Sequence, residues 1–497
     1  MKFRLAALAA LCLGGLGLAG VAHASPWAEV GDRQFRQDIE MLKGAGVIRG
    51  PINTWPLPWA QIDNGIEAWG DKPLPPHLDQ AIKRVEALSD LAQRRTVYEV
   101  RLNGTNRPEL VRDFGGGARE KADVSVSAAH EFGALYVKYG VGYRNSQRGR
   151  DIHAEPSYAA LQLGNWALYG GYVEEWWGPG HDGALLFSNS ARPFPKVGFK
   201  RLSPDPINLP VLRWLGPIRL DVFGGVLTEH RDFDNTAIIG IRVGIEPVRG
   251  LEINFNRALQ LCGKGRTIKC SPKTIGKALI GIGNQDNTGT VNEPGNQLAG
   301  FDISFTRNIG KVTTQIYAEA EAEDEDNFLI DQYARLGGIA LSGPLGKQGM
   351  SWNANFEVTD TLGSKLFGGR KYPGSLYNNF IYTDGFTYKR KPIGYSLDEG
   401  TRTFTLSAAV NDLSNRRWYA SLRDIDLFRS NALNPGGSPR NRITDNPETI
   451  QVATAGVEWP SELGDIKVEG RLQNDAPNTP GRSKLYPAIE LAFRSRF

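Results

Sequence analysis

The chain has 497 residues, of which 40% are hydrophobic and 10% aromatic, with 58 glycines. So many aromatics argue against a disordered chain, and after the first two dozen residues no apolar run approaches the roughly 20 residues of a spanning helix, which excludes a membrane helix bundle. The formal net charge of +4 falls by two without Lys2 and Arg4, and this near-neutrality gives no support to a nucleic-acid partner.

Lys2 and Arg4 precede an apolar or glycine stretch from Leu5 to Val21, followed by the small-x-small site Ala22-His23-Ala24. Residues 1–24 are therefore expected to be a secretory signal peptide. In an exported chain Cys262 and Cys270, with seven residues between them, are expected to form a disulfide; the alternative is two unpaired thiols in a loop. From Asp32 to about Arg95 the period is helical. Asp32 is placed to cap a helix whose Phe35, Ile39 and Leu42 share a face, and Gly44 and Gly46 end it. Ile62, Ile66 and Trp69 form a second stripe, and a third helix is expected over roughly His77 to Arg94. Between the first two, Thr54-Trp55-Pro56-Leu57-Pro58-Trp59 is too proline-rich for helix. Residues 25–96 thus predict a small α-helical periplasmic module, too slight to bury much alone and so expected to plug something larger.

From Val97 onward the period is two. Leu135, Val137, Tyr139, Val141 and Tyr143 alternate with Tyr136, Lys138, Gly140, Gly142 and Arg144, and the rhythm recurs to the terminal Phe497. Segments of about 10 residues, apolar on one face and charged or glycine on the other, joined by alternately short and long connections, are the mark of an outer-membrane barrel. Residues 97–497 therefore predict an all-β transmembrane barrel. Short inside turns fall at 247–250, 308–311, 343–350, 412–416 and 460–465; long outside connections fall near 259–297, 323–333, 360–402, 426–448 and 474–486. Counts from the two ends reconcile at about 18 antiparallel strands if 174–217 holds one further strand, expected around Ala184–Ser190.

The most unusual stretch is Glu174-Glu175-Trp176-Trp177-Gly178-Pro179-Gly180-His181-Asp182-Gly183, followed by Ser188-Asn189-Ser190-Ala191-Arg192-Pro193-Phe194-Pro195. Adjacent tryptophans in a stiff turn suggest a sugar-stacking platform, with Glu174 and Asp182 binding hydroxyls. The competing reading is an interfacial aromatic girdle with a structural turn. These motifs, together with SPWAEVGDRQFRQDIEMLKGAGVI and TWPLPW near the start, resemble the capsule assembly Wzi family of Gram-negative outer-membrane proteins, in order along the whole mature chain. The resemblance implies an 18-stranded barrel blocked at its base by an N-terminal helical bundle. It also implies a non-enzymatic, lectin-like role in attaching capsular or other exopolysaccharide to the cell surface.

The connection from Thr361 to Arg402 combines aromatics, Tyr382 among them, with Arg370, Lys371, Lys389, Arg390 and Lys391. Aromatic faces suit pyranose rings and the cations suit uronates, although lipopolysaccharide phosphates or plain loop packing would use the same residues. Glu319, Glu321 and Glu323, with Asp324, Glu325 and Asp326 beyond, read as lumen wall and solvated loop rather than a calcium site. No metal, cofactor or catalytic constellation is expected; His181-Asp182 has no placed nucleophile. The expected partners are surface polysaccharide and outer-membrane lipid and lipopolysaccharide, with the protein a monomer. A diffusion porin is the alternative, distinguished by an open lumen, and an outer-membrane hydrolase is a third class for which no residues assemble.

Overall fold

Alternation of apolar and polar residues lets a strand face lipid on one side and a packed interior on the other, and in the computed structural model of the protein the period-two segments close on themselves in this way. The structure describes residues 25–146, 149–210, 212–279, 295–323, 332–369, 371–372, 374, 376–428, 441–479 and 484–497. The expected signal peptide, residues 1–24, lies outside them.

The barrel has 18 antiparallel strands, from Thr96–Thr105 to Tyr486–Arg496, which pair with each other to close it. One strand is interrupted, running as Gly149–His153 and resuming as Tyr158–Leu163, both halves pairing with Leu135–Ser146. Phe497 extends the closure: it exchanges backbone hydrogen bonds with Tyr98 at 2.9 and 3.0 Å. The inward and outward faces follow the sequence rhythm. On Leu135–Ser146, Tyr139, Val141 and Tyr143 are exposed on the lipid side while Lys138 and Arg144 are buried inside. On Thr236–Val248, Arg242 and Glu246 are buried in the lumen.

The eighteenth strand is not where the sequence suggested. Residues 184–190 are not a barrel strand; the strand that descends between 174 and 217 is Lys196–Arg201, paired with Trp166–Gly171 and Ile218–Leu227. Its sequence, KVGFKR, is short and places Lys196 and Lys200 in the interior, where both approach Glu175. That masked its apolar face, which consists only of Val197 and Phe199.

The helices α1 (Arg33–Ala45), α2 (Trp59–Trp69) and α3 (Pro76–Ala92) follow the sequence reading. The Asp32 carboxylate accepts from the Phe35 amide at 2.8 Å, satisfying an otherwise orphaned donor, and α1 stops at Gly46, whose φ of +82° suits glycine. Phe35, Ile39 and Leu42 are buried with Trp55, Trp59, Leu78 and Val85. The helices meet the short-turn end: the Arg249 guanidinium donates to the Ala45 carbonyl at 3.0 Å, Gly44 lies against Asn308 and Thr313, and Gly349 against Gln80.

Beyond α1 the chain climbs the lumen as irregular backbone broken by the two-residue strands Thr54–Trp55 and Leu57–Pro58, and the barrel wall satisfies it. Glu252, wholly buried, accepts from the Ile52 and Asn53 amides at 2.8 and 3.0 Å and from Lys43 at 3.1 Å. Arg242 reaches Thr54 at 2.8 Å and Asp302 at 2.7 Å, and Arg219 donates to the Pro56 carbonyl at 2.7 Å. Removing one partner of a buried ion pair leaves an uncompensated charge, which costs about 3–5 kcal/mol. Lys43→Ala is therefore expected to lower the thermal unfolding midpoint markedly. Lys83→Ala, which breaks only an exposed i,i+4 pair with Asp79, leaves the midpoint unchanged. Equal midpoints for the two variants, followed by circular dichroism, would mean that the helices are not held by the wall charges.

Candidate functional site

The tryptophan motif sits in the middle of the lumen, on the inter-strand segment that dives inward before Lys196. Trp176 and Trp177 pair as a two-residue strand with Trp55 and Thr54. Both indoles are fully buried. Trp176 meets Phe114 edge-on at 5.5 Å, and Trp177 meets Phe187 and Phe223 at 4.8 and 5.4 Å. The sugar-stacking platform expected from the sequence is thus an aromatic packing core in this structure, its ring faces covered by neighbouring aromatics.

The turn that follows is held by charge from three sides. Gly178 has φ +151° and approaches so closely that a Cβ would stand 2.5 Å from Glu319. Arg36 donates to the Pro179 and Gly180 carbonyls at 2.7 and 2.8 Å. Glu357 accepts the amides of His181, Asp182 and Gly183 at 2.7, 3.2 and 3.0 Å and the Tyr317 hydroxyl at 2.8 Å. Asp182, expected to bind hydroxyls of a ligand, instead pairs with Arg423 at 2.6 Å and accepts from Thr405 at 2.7 Å, buried. Glu174 pairs with Arg119 at 2.6 Å and borders a cavity beside the helices.

The carboxylates Glu319, Glu321 and Glu323 are lumen-facing as read, but buried rather than hydrated, because the inward segments cover them; Glu319 accepts from the Leu185 amide at 2.8 Å. Among the described residues no group of His, Cys, Asp and Glu could hold a metal ion; Asp324, Glu325 and Asp326 lie outside those residues.

At the long-loop end, the connection that follows Met350–Ser364 also folds inward. Tyr377, Phe386, Tyr388 and Tyr395 are buried, the Tyr377 hydroxyl donates to the Leu185 carbonyl, and the Ser188 amide donates to the Ile393 carbonyl at 3.0 Å. Tyr382, expected to offer a face to a sugar ring, is buried too, its hydroxyl donating to the Cys262 carbonyl at 3.0 Å. Cys262 and Cys270 are disulfide-bonded with Cα atoms 5.2 Å apart, within ordinary reach. Among the described candidate residues of the expected ligand surface, those of a hairpin tip lie outermost: Arg390 and Lys391 are exposed, and Lys389 is half-buried 3.8 Å from Glu155. Arg370 and the side chain of Lys371 lie outside the described residues. The structure therefore brings Lys389, Arg390 and Lys391 together, and separates them from Trp176, Trp177 and Asp182, which are interior.

The model of the capsule assembly protein Wzi matches residues 92–480 of this sequence. The chain belongs to that family. An uncharacterised 55.8 kDa protein in the cps region of Klebsiella pneumoniae is 28% identical over 360 residues, covering 71% of this chain and 69% of that protein. Wzi of Escherichia coli, described as an outer-membrane protein involved in group 1 capsule assembly and a carbohydrate-binding β-barrel, superimposes with a TM-score of 0.78 at 22% identity. That superposition covers 95% of this chain and all of that one. The fold is thus that of Wzi, and the protein is an outer-membrane barrel.

The partners of the Wzi motif escaped sequence reading. Glu357 and Arg423 sit on lumen faces of strands, where alternation marks them only as inward polar residues, and Arg423 is 241 residues from Asp182. His181 shows the electrostatic consequence of this packing. Burial pushes its pKa down to about 4, against a smaller upward effect of Glu40 at 3.3 Å. An unfolded histidine binds its proton below about 6.5 whereas the folded one resists, so stability is complete above that pH and declines as pH falls toward 4. The loss is up to about 3 kcal/mol. In His181→Gln, thermal unfolding between pH 7 and 4 should lose that part of its pH slope; a slope identical to the parent protein would assign acid sensitivity elsewhere.

Proposed function

We propose that this Wzi-family protein is a non-enzymatic, lectin-like component of the outer membrane that attaches capsular or other exopolysaccharide to the cell surface. The observation that carries this reading is the double closure of the lumen: α1–α3 fill the short-turn end, while the motif segment and the connection before Arg402 fill the other. A diffusion porin needs an open lumen, whereas a barrel filled in this way meets a long polymer at its outer surface.

On that surface the basic hairpin tip is the element best suited to an acidic chain. Thr387 and Tyr388 pair with Pro392 and Lys391, leaving Lys389 and Arg390 as the two turn residues, at φ +49° and +62°. Glycine and asparagine are the usual residues for such a turn. Cations in their place accept backbone strain, and together with Lys391 they form a compact positive knob. Each exposed contact contributes only about 0.2–1 kcal/mol, so retention comes from many tips along one polymer. Lipopolysaccharide phosphates are the competing partner for the same cations. Arg370 and Lys371 belong to the same connection and are proposed as additional contacts.

The triple variant Lys389→Gln, Arg390→Gln, Lys391→Gln should bind immobilised polyuronate roughly tenfold more weakly by biolayer interferometry, with wild-type binding falling as salt rises. Binding of neutral dextran should not change. Undiminished polyuronate binding by the triple variant would remove the tip from the mechanism, and loss of lipopolysaccharide binding alone would reassign it to lipid.

A further inference from the structure

Between α1 and α3 on one side and the strands where the barrel closes on the other lies a cavity of about 590 Å³, within the range of small-molecule sites. At the short-turn end it is bordered by Lys83 and Asp465, both more than half exposed, which gives access from that side. Its wall is rich in charge, but the charges are nearly all matched. Arg84 pairs with Asp38 at 2.7 Å, Arg101 with Glu29 at 3.0 Å, Arg119 with Glu174 at 2.6 Å, Arg192 with Glu120 at 2.9 Å and Arg494 with Glu99 at 2.7 Å.

Arg112 breaks the pattern. It lines the same cavity and is only 7% exposed, yet among the described residues no carboxylate lies within ion-pair distance of it. Its Nε donates to the Asn189 carbonyl at 3.0 Å, and its Nη1 has no hydrogen-bond partner. Burial, and then the charge of Arg119, lower its pKa, and the more distant carboxylates Glu109, Glu174 and Glu490 offset this only in part. Bare backbone lies beside it: Gly116 has φ +60°, and a Cβ there would stand 2.8 Å from Nη2. A buried guanidinium with unused donors is costly unless an anion from outside completes it.

We propose that this cavity binds a carboxylated saccharide of one or two units, its carboxylate held by Arg112. The inference rests on the polysaccharide reading above and gives it a chemical class, a uronate or similarly acidic sugar. The cavity is far larger than an inorganic anion. The cavity wall also carries Glu174 and Asp123, whose oxygens accept from sugar hydroxyls and repel a compact dianion. Tyr172, half-buried on the same wall, supplies an aromatic surface for the ring. Access from the short-turn end means that this site samples saccharide on the periplasmic side, apart from the basic tip that faces outward.

The test uses purified full-length protein in detergent and glucuronate as the probe, followed by isothermal titration calorimetry. The wild type should give saturable one-site binding, with glucose and inorganic phosphate each at least tenfold weaker. Arg112→Gln should weaken glucuronate binding at least tenfold, and Arg112→Lys by less, each variant being checked for native circular dichroism. A second measurement needs no variant: glucuronate, and not glucose, should cut phenylglyoxal modification of Arg112 at least fivefold, read by mass spectrometry. Absence of saturation, equal affinities in wild type and Arg112→Gln, phosphate binding as tightly as glucuronate, or no protection of Arg112 overturns the proposal. The triple tip variant should keep glucuronate binding while losing polyuronate. Polyuronate binding without any glucuronate binding therefore sinks this site alone and leaves the surface reading intact.

Discussion

The structure depends on one constraint: irregular backbone inside a closed barrel must find hydrogen-bond partners without bulk water. The wall supplies them as acidic and basic side chains. Glu252 receives the amides at 52 and 53, Glu357 those at 181 to 183, and Glu319 that at 185. Arg36 and Arg219, on α1 and on a strand respectively, donate to carbonyls of the same inward segments. Each such bond fixes its segment in position as well as satisfying it. Several interior cations also face a counter-charge: Lys43, Arg242 and Arg423 each meet a carboxylate.

This arrangement explains why helices and loops that are slight in themselves fill a wide barrel. Three helices of 13, 11 and 17 residues bury a single aromatic cluster, and α1 is buried on its charged face as well as its apolar one. The motif at 174–183 joins the two fillings. It pairs with the chain at 54–55 below and, through Leu185 and Ser188, meets the loop that fills the other end. A substitution in the turn would therefore disturb both ends at once, whereas a change at the outward tip disturbs neither.

Much of this was legible in the sequence because the relevant signals are local. The Asp32 cap, the Phe35, Ile39 and Leu42 stripe and the Gly46 stop each lie within one helix, and alternation on Leu135–Ser146 or Thr236–Val248 needs no knowledge of neighbouring strands. The strand count also came out, since connection lengths constrain parity, yet the position of the missing strand did not: Lys196 and Lys200 are readable as lumen residues only once Glu175 is known to face them. The role of the tryptophans stays open in the sequence for a related reason. An aromatic pair flanked by glycine and proline looks the same whether its faces meet sugar or Phe114, Phe187 and Phe223, which are contributed by distant parts of the chain.

The same logic of matched charge separates scaffold from recognition. A side chain whose charge is already neutralised by a partner fixed in a packed interior gains little from a ligand, because binding must first break that pair. Asp182 is held in this way by Arg423, and Glu357 by the amides and the hydroxyl that it accepts, whereas the cations of the hairpin tip lie nearer the surface, Lys389 half-buried beside Glu155 and Arg390 and Lys391 exposed. Arg112 belongs to neither group. It is as buried as the scaffold charges but, among the described residues, lacks the carboxylate that every other arginine on the wall of its cavity has found, so on that wall an external anion would complete a pattern rather than compete with one.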